Sequence, residues 1–112
     1  MTDKVVLLST CNSSEEARQV ARALVEKRLA ACVQVSGAMT SVYRWRGKIE
    51  EADEYWVVIK TSRALVDAVR MELEKLHSYE VPELVALPIV DGSPNYLNWL
   101  NTELQAPADG AE

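Results

Sequence analysis

The chain is poor in histidine, cysteine, glycine and positive charge, and each shortage excludes a class of function. His77 is the only histidine in 112 residues. High-affinity metal cages are built from several ligands at repeated spacing, and the sequence has no such repeat. The two cysteines, Cys11 and Cys32, are not in a CxxC spacing. Two free thiols in a reducing compartment are therefore expected. Four glycines leave little for a phosphate-cradling loop. GxGxxG, GxxxxGK followed by Ser or Thr, HExxH and GxSxG do not occur. Lys and Arg total 12 against 17 Asp and Glu, a formal net charge of −5. Nucleic-acid binders normally carry a basic patch, so a nucleic-acid partner is not expected. No apolar run approaches the ~18 residues needed to span a membrane. Met1-Thr2-Asp3-Lys4 lacks the basic start of a signal peptide. A cytoplasmic protein without a membrane partner is expected.

What is present reads as one ordinary globular domain, with 48% hydrophobic and 26% charged residues. The domain is placed at 1–104. Residues 105–112 are small and polar and read as a disordered tail. Val5-Val6-Leu7-Leu8 is a short strand pattern ended by Thr10-Cys11-Asn12. Ser13 and Glu16 have capping-box spacing. Ala17, Val20, Ala21, Leu24, Val25 and Leu29 then recur at helical spacing.

From Ala31 to Trp45 the chain reads as extended, with a bulge or bend at Gly37. Met39, Ser41, Tyr43 and Trp45 share one face. Arg46-Gly47-Lys48 is a tight turn. Tyr55, Val57 and Ile59 alternate with Trp56, Val58 and Lys60 in the returning strand. Glu50, Glu51, Asp53 and Glu54 are expected past the hairpin tip as a solvated acidic face. Thr61-Ser62 offers an N-cap to a second helix, whose stripe is Leu65, Val66, Val69, Leu73 and Leu76. Leu84 to Val90 reads as a fourth strand, at an edge because of Pro88. Ser93-Pro94 opens a short last helix.

The order β-α-β-β-α-β with an extra C-terminal helix predicts an α+β, ferredoxin-like sandwich with a four-stranded antiparallel sheet. Alternating strand directions bring the Cys11 turn, the hairpin tip and His77-Ser78-Tyr79-Glu80-Val81-Pro82-Glu83 to one end. Cys32 falls at the opposite end, too far from Cys11 for a disulfide. Two helices cover only one sheet face. The other face, with some of Tyr43, Trp45, Tyr55 and Trp56, and the overlong hairpin predict a closed ring of subunits.

Five stretches carry a family resemblance. They are Glu26-Lys27-Arg28-Leu29-Ala30-Ala31-Cys32-Val33, Ser41-Val42-Tyr43-Arg44-Trp45-Arg46-Gly47-Lys48, Ile59-Lys60-Thr61, His77 to Glu83, and Tyr96-Leu97-Asn98-Trp99-Leu100. Together they resemble the CutA divalent-cation tolerance proteins over roughly residues 4 to 104. The resemblance implies a ferredoxin-like protomer, a homotrimer of PII-like architecture, and a link to copper and other divalent cations. It implies no enzymatic activity. Described copper sites in the family use a cysteine at the end of strand 1 and histidines before a Pro-Tyr pair. Here Ser9, Leu76 and Ser78 depart from that pattern, and His77 alone matches a ligand position.

The candidate metal ligands are Cys11 and His77, a thiol and an imidazole suited to copper or zinc. Glu80 and Glu83 are candidate oxygen ligands beside them. The plainer alternative makes His77 a solvated helix-end residue and Cys11 a small buried one. Tyr43, Trp45, Trp56 and Tyr79 are assigned to a subunit interface or cleft. Two functions follow: a divalent-cation tolerance trimer, or a PII-like sensing or scaffold trimer holding a metabolite or anion between subunits.

Overall fold

In the computed structural model, chain order is β1 (Lys4–Cys11), α1 (Ser14–Glu26), β2 (Cys32–Trp45), β3 (Lys48–Ser62), α2 (Val66–Leu76), β4 (Val85–Pro88) and α3 (Pro94–Glu103). Residues 2–106 are described, so most of the predicted tail lies outside them. The strands form one antiparallel sheet in the order β2-β3-β1-β4. This is the ferredoxin-like arrangement expected from the element order. Pro88 closes β4 at a sheet edge, where its missing N–H costs no ladder bond.

Period-two and period-3.6 patterns meet in a single core. Val5, Leu7, Val57 and Ile59 point from the sheet toward Ala17, Val20 and Leu24 of α1 and Val69 and Leu73 of α2. Burying each of the larger side chains contributes about 1.5–3 kcal/mol. Ser13 caps α1, its Oγ accepting the Glu16 N–H at 3.1 Å. The other arm of the expected capping box is missing, because the Glu16 carboxylate reaches Ser78 instead. After α1, Arg28 adopts φ 58°. Leu29 and Ala30 N–H groups then fold back onto the Leu24 carbonyl at 2.9 and 3.2 Å. A left-handed residue here lets the orphan carbonyls be satisfied. The Arg28 guanidinium donates to the Thr102 and Glu103 carbonyls, tying α3 to this corner.

Two expected caps differ. A 3-10 turn, Arg63–Leu65, intervenes before α2, and Ser62 makes no side-chain cap bond. Thr61 donates its hydroxyl to the Leu29 carbonyl at 2.6 Å. Ser93 also makes no side-chain cap bond, although Pro94 does open α3.

The hairpin is longer than the apolar alternation indicated. Arg46 and Gly47 form the whole turn, with φ 52° and 81°. Positive φ at both central residues matches the natural strand twist. Such a short turn leaves no loop for the acidic residues, so Glu50 to Glu54 lie within β3. Register pairs Tyr43 with Glu50 and Met39 with Glu54. The expected bulge appears as a register shift between Val35 and Ala38. Ser36 Oγ repairs it by accepting the Trp56 N–H at 2.8 Å.

Both long helices lie on one sheet face. Register assigns Thr10 and Trp56 to the opposite face, and Tyr55 to the helix face beside Cys11. Helix α3 covers the far end of the open face. There Lys60 sits 5.8 Å from the Tyr96 ring centre, and Lys4 Nζ donates to Asn101 at 3.1 Å. Val85, Leu87, Tyr43 and Trp45 remain exposed in the single chain.

Candidate functional site

Three chain segments converge on His77, as the strand directions required. Cys11 ends β1, Glu16 lies in the first turn of α1, and His77 follows α2. One ligand atom from each lies within 4.8 Å of the other two. The imidazole is buried, with a side-chain exposure of 0%. It is therefore not the solvated helix-end group of the plainer alternative. The chain leaving α2 turns beneath the end of β1, and the ring takes two backbone partners there.

Those partners set the tautomer. His77 Nε2 lies 2.5 Å from the Thr10 carbonyl, which only accepts, so Nε2 carries the proton. Nδ1 accepts the Tyr79 N–H at 3.0 Å. Glu16 Oε2 stands 3.4 Å from Nδ1 and accepts the Ser78 N–H at 3.2 Å. The Nδ1 lone pair thus faces both the loop amide and the cluster. A metal ion would take it from Tyr79.

Cys11 is fully buried. Burial, then the charge and hydrogen bond of Glu16, push its thiol up to about 12. It is a protonated thiol at neutral pH. Thiol, imidazole and carboxylate form a mixed soft and hard donor set, which fits copper or zinc with an open coordination position. The fit carries two costs: loss of a thiol proton and loss of one loop hydrogen bond.

The other predicted residues sit elsewhere. Glu80 is exposed and pairs with Arg46 at 2.7 Å, fastening the loop to the hairpin tip. Glu83 accepts the Ser9 hydroxyl on its backbone carbonyl at 2.7 Å. Ser9 thus serves as a tether at the position where the resemblance leads one to expect a cysteine ligand. The Glu83 carboxyl is held above its ordinary range, by burial first and by Glu54 second. It joins Thr10, Tyr43, Trp45, Glu54 and Tyr79 around a cleft of about 620 Å³. Trp56 does not line this cleft; it is half-buried further along the open face.

Two carboxylates of the candidate sites escaped the residue patterns. Glu16 reads from spacing as a capping residue, and nothing local sends it to His77. Glu54 reads as one of a solvated run, yet it is only 7% exposed. Its Oε2 accepts the Tyr79 hydroxyl at 2.6 Å. Burial, then Glu54, hold the Tyr79 phenol well above its ordinary range. The alternation Glu50, Ala52, Glu54, Trp56, Val58 was the available signal, because it places Glu54 on a strand face.

Comparison with known proteins gives the family and the fold. A family model described as CutA1 divalent ion tolerance protein matches residues 5–103. A mouse protein named Protein CutA is 48% identical over 92 residues, covering 82% of this chain and 52% of the mouse protein. The chain therefore spans about half the length of that relative. A Thermus thermophilus protein named divalent-cation tolerance protein CutA is 46% identical over 95 residues, covering 85% of this chain and 92% of its own. The crystal structure of CutA from Xylella fastidiosa superposes with a TM-score of 0.90 at 41% identity. It covers 93% of this chain and 100% of that one.

Proposed function

The chain belongs to the CutA1 divalent ion tolerance family, and from that premise we propose that it binds a divalent cation, copper foremost, at Cys11, Glu16 and His77 within a homotrimer. The family is one of ion-tolerance proteins, not enzymes. The observation that carries the metal reading is the convergence of three ligand atoms within 4.8 Å from three separate segments. The preference for copper comes from the thiolate and imidazole, which suit soft and borderline ions. The test titrates copper and zinc into the protein beside a Cys11→Ser, His77→Ala double variant. Weaker binding by the variant is expected, and identical isotherms would refute the site.

The trimer rests on the open sheet face and on β2, a 14-residue edge strand whose outer side is unpaired within the chain. Exposed apolar faces and long edges are resolved by pairing with another copy. Light scattering at micromolar concentration is expected to give the mass of three chains. A monomer mass would refute it. Cytoplasmic residence goes with this reading. Among the described residues, no helix is long and apolar enough to cross a membrane.

A second reading, a PII-like sensing or scaffold trimer, is favoured by the cleft beside the hairpin. Its volume falls in the ~300–1,000 Å³ range of small-molecule sites. A ligand that raises the melting temperature without metal would support it.

A further inference from the structure

We propose that the cleft between the β2–β3 hairpin and the 77–83 loop binds a small organic cation, a protonated amine on an apolar body. The proposal rests on the ligand-sensing reading and names its ligand class. It does not require a metal at Cys11.

The cleft combines two features that an ammonium group needs. The first is uncompensated negative charge. Glu54 is only 7% exposed, and no lysine or arginine among the described residues pairs with it. Its Oε2 accepts the Tyr79 hydroxyl at 2.6 Å and the Thr10 hydroxyl at 3.4 Å. Its Oε1 makes no hydrogen bond among the described residues and is not itself buried, so it is an accessible acceptor. A largely buried carboxylate held only by neutral hydroxyls has no cationic partner among the described residues, and a cation is the partner that would offset its charge. Glu83 lines the same cleft, and its carboxyl is raised by burial and by Glu54. No lysine or arginine is among the residues lining the cleft; Arg46, beside it, is paired with Glu80 at 2.7 Å and lies 5.2 Å from the Trp45 ring centre.

The second feature is aromatic surface. Tyr43 and Trp45 line the hairpin side and Tyr79 the loop side. Ring faces attract a cation and also cover its apolar body. An anion in this cleft would face two carboxylates, so the field selects against the anionic metabolite otherwise expected of a PII-like trimer. The size and lining leave room for an amine with one ring.

The test is calorimetric titration of the intact protein with three probes that share a phenethyl body: phenethylammonium, 3-phenylpropionate and 2-phenylethanol. The amine is expected to bind at least about tenfold more tightly than the acid or the alcohol. Glu83→Gln is expected to weaken the amine about fivefold or more through loss of charge. Glu54→Gln, which keeps an acceptor for Tyr79, is expected to do the same. Should that variant fold poorly, Glu83→Gln decides alone. Glu26→Gln, which removes an exposed charge at the other end of α1, is expected to leave amine binding unchanged. Equal binding of amine and acid, or an amine affinity indifferent to Glu83→Gln, overturns the choice of a cation while leaving a ligand cleft. Absence of binding by all three probes overturns the cation; the ligand-sensing reading falls only if no metabolite raises the melting temperature either.

Discussion

Replacing Cys11 by serine is expected to flatten the pH dependence of metal binding as well as weaken it. The Cys11 thiol is raised from an ordinary 9.0 to about 12, by burial first and Glu16 second. That rise opposes the thiolate by roughly 4 kcal/mol more than in an exposed cysteine. Only the thiolate ligates, so a bound ion must overcome this cost and expel the proton. At neutral pH the site is still fully protonated at sulfur. Each ion therefore releases one proton from Cys11, and apparent affinity rises about tenfold per pH unit from this group alone. Between pH 6.5 and pH 8.5 the gain is about a hundredfold. Serine supplies no comparable proton, so the slope of log affinity against pH falls by about one in the variant. Zinc is the probe, because it does not oxidise the thiol. Competition against a chelator across that pH range gives the slope. Calorimetry in two buffers of different ionisation heat counts the protons independently. Equal slopes and equal proton counts in the two proteins would remove Cys11 from the site.

Three further outcomes concern the fold. Because the folded thiol is raised above its unfolded 9.0, its contribution to stability is complete below that pH and is lost as pH rises toward about 12. Urea midpoints should fall less steeply in alkali for Cys11→Ser, and a thiol reagent should modify half-buried Cys32 before buried Cys11. Glu72 is 7% exposed and is held below its ordinary range chiefly by a 2.7 Å bond to Lys27. Its stabilisation is present above the unfolded pKa of 4.5 and is lost as pH falls through the lower folded value. Lys27→Ala should therefore cost about 1–2 kcal/mol at pH 7 and much less in acid, read from denaturant melts. An equal cost at both pH values would show that the pair is not responsible.

Much of the fold was legible because it rests on local pattern. Ala17, Val20 and Leu24 announce α1, and the structure buries all three. Gly37 and Pro88 mark the bulge and the edge strand, and both are where their chemistry requires. The hairpin was underread because Lys48 to Glu54 is polar, and acidic residues lower the apparent strand signal. Pairing with β2 overrides that propensity. The caps at Ser62 and Ser93 failed because a suitable residue type does not oblige its side chain to bond. Thr61, one position earlier, is drawn to a buried carbonyl that spacing does not reveal.

By itself the sequence determined the elements, their order and the gathering of Cys11 and His77 at one end. Periodicity is local, and alternating strands permit few connections. Only the tertiary structure decided that Glu16 joins them and that Glu54 joins Tyr79 in the neighbouring cleft. Glu16 reaches a residue 62 positions away, and Glu54 one 25 positions away. It also decided the state of His77, because both ring nitrogens are set by backbone groups of Thr10 and Tyr79. A side chain's charge and tautomer depend on what surrounds it, and that environment exists only once the segments have packed.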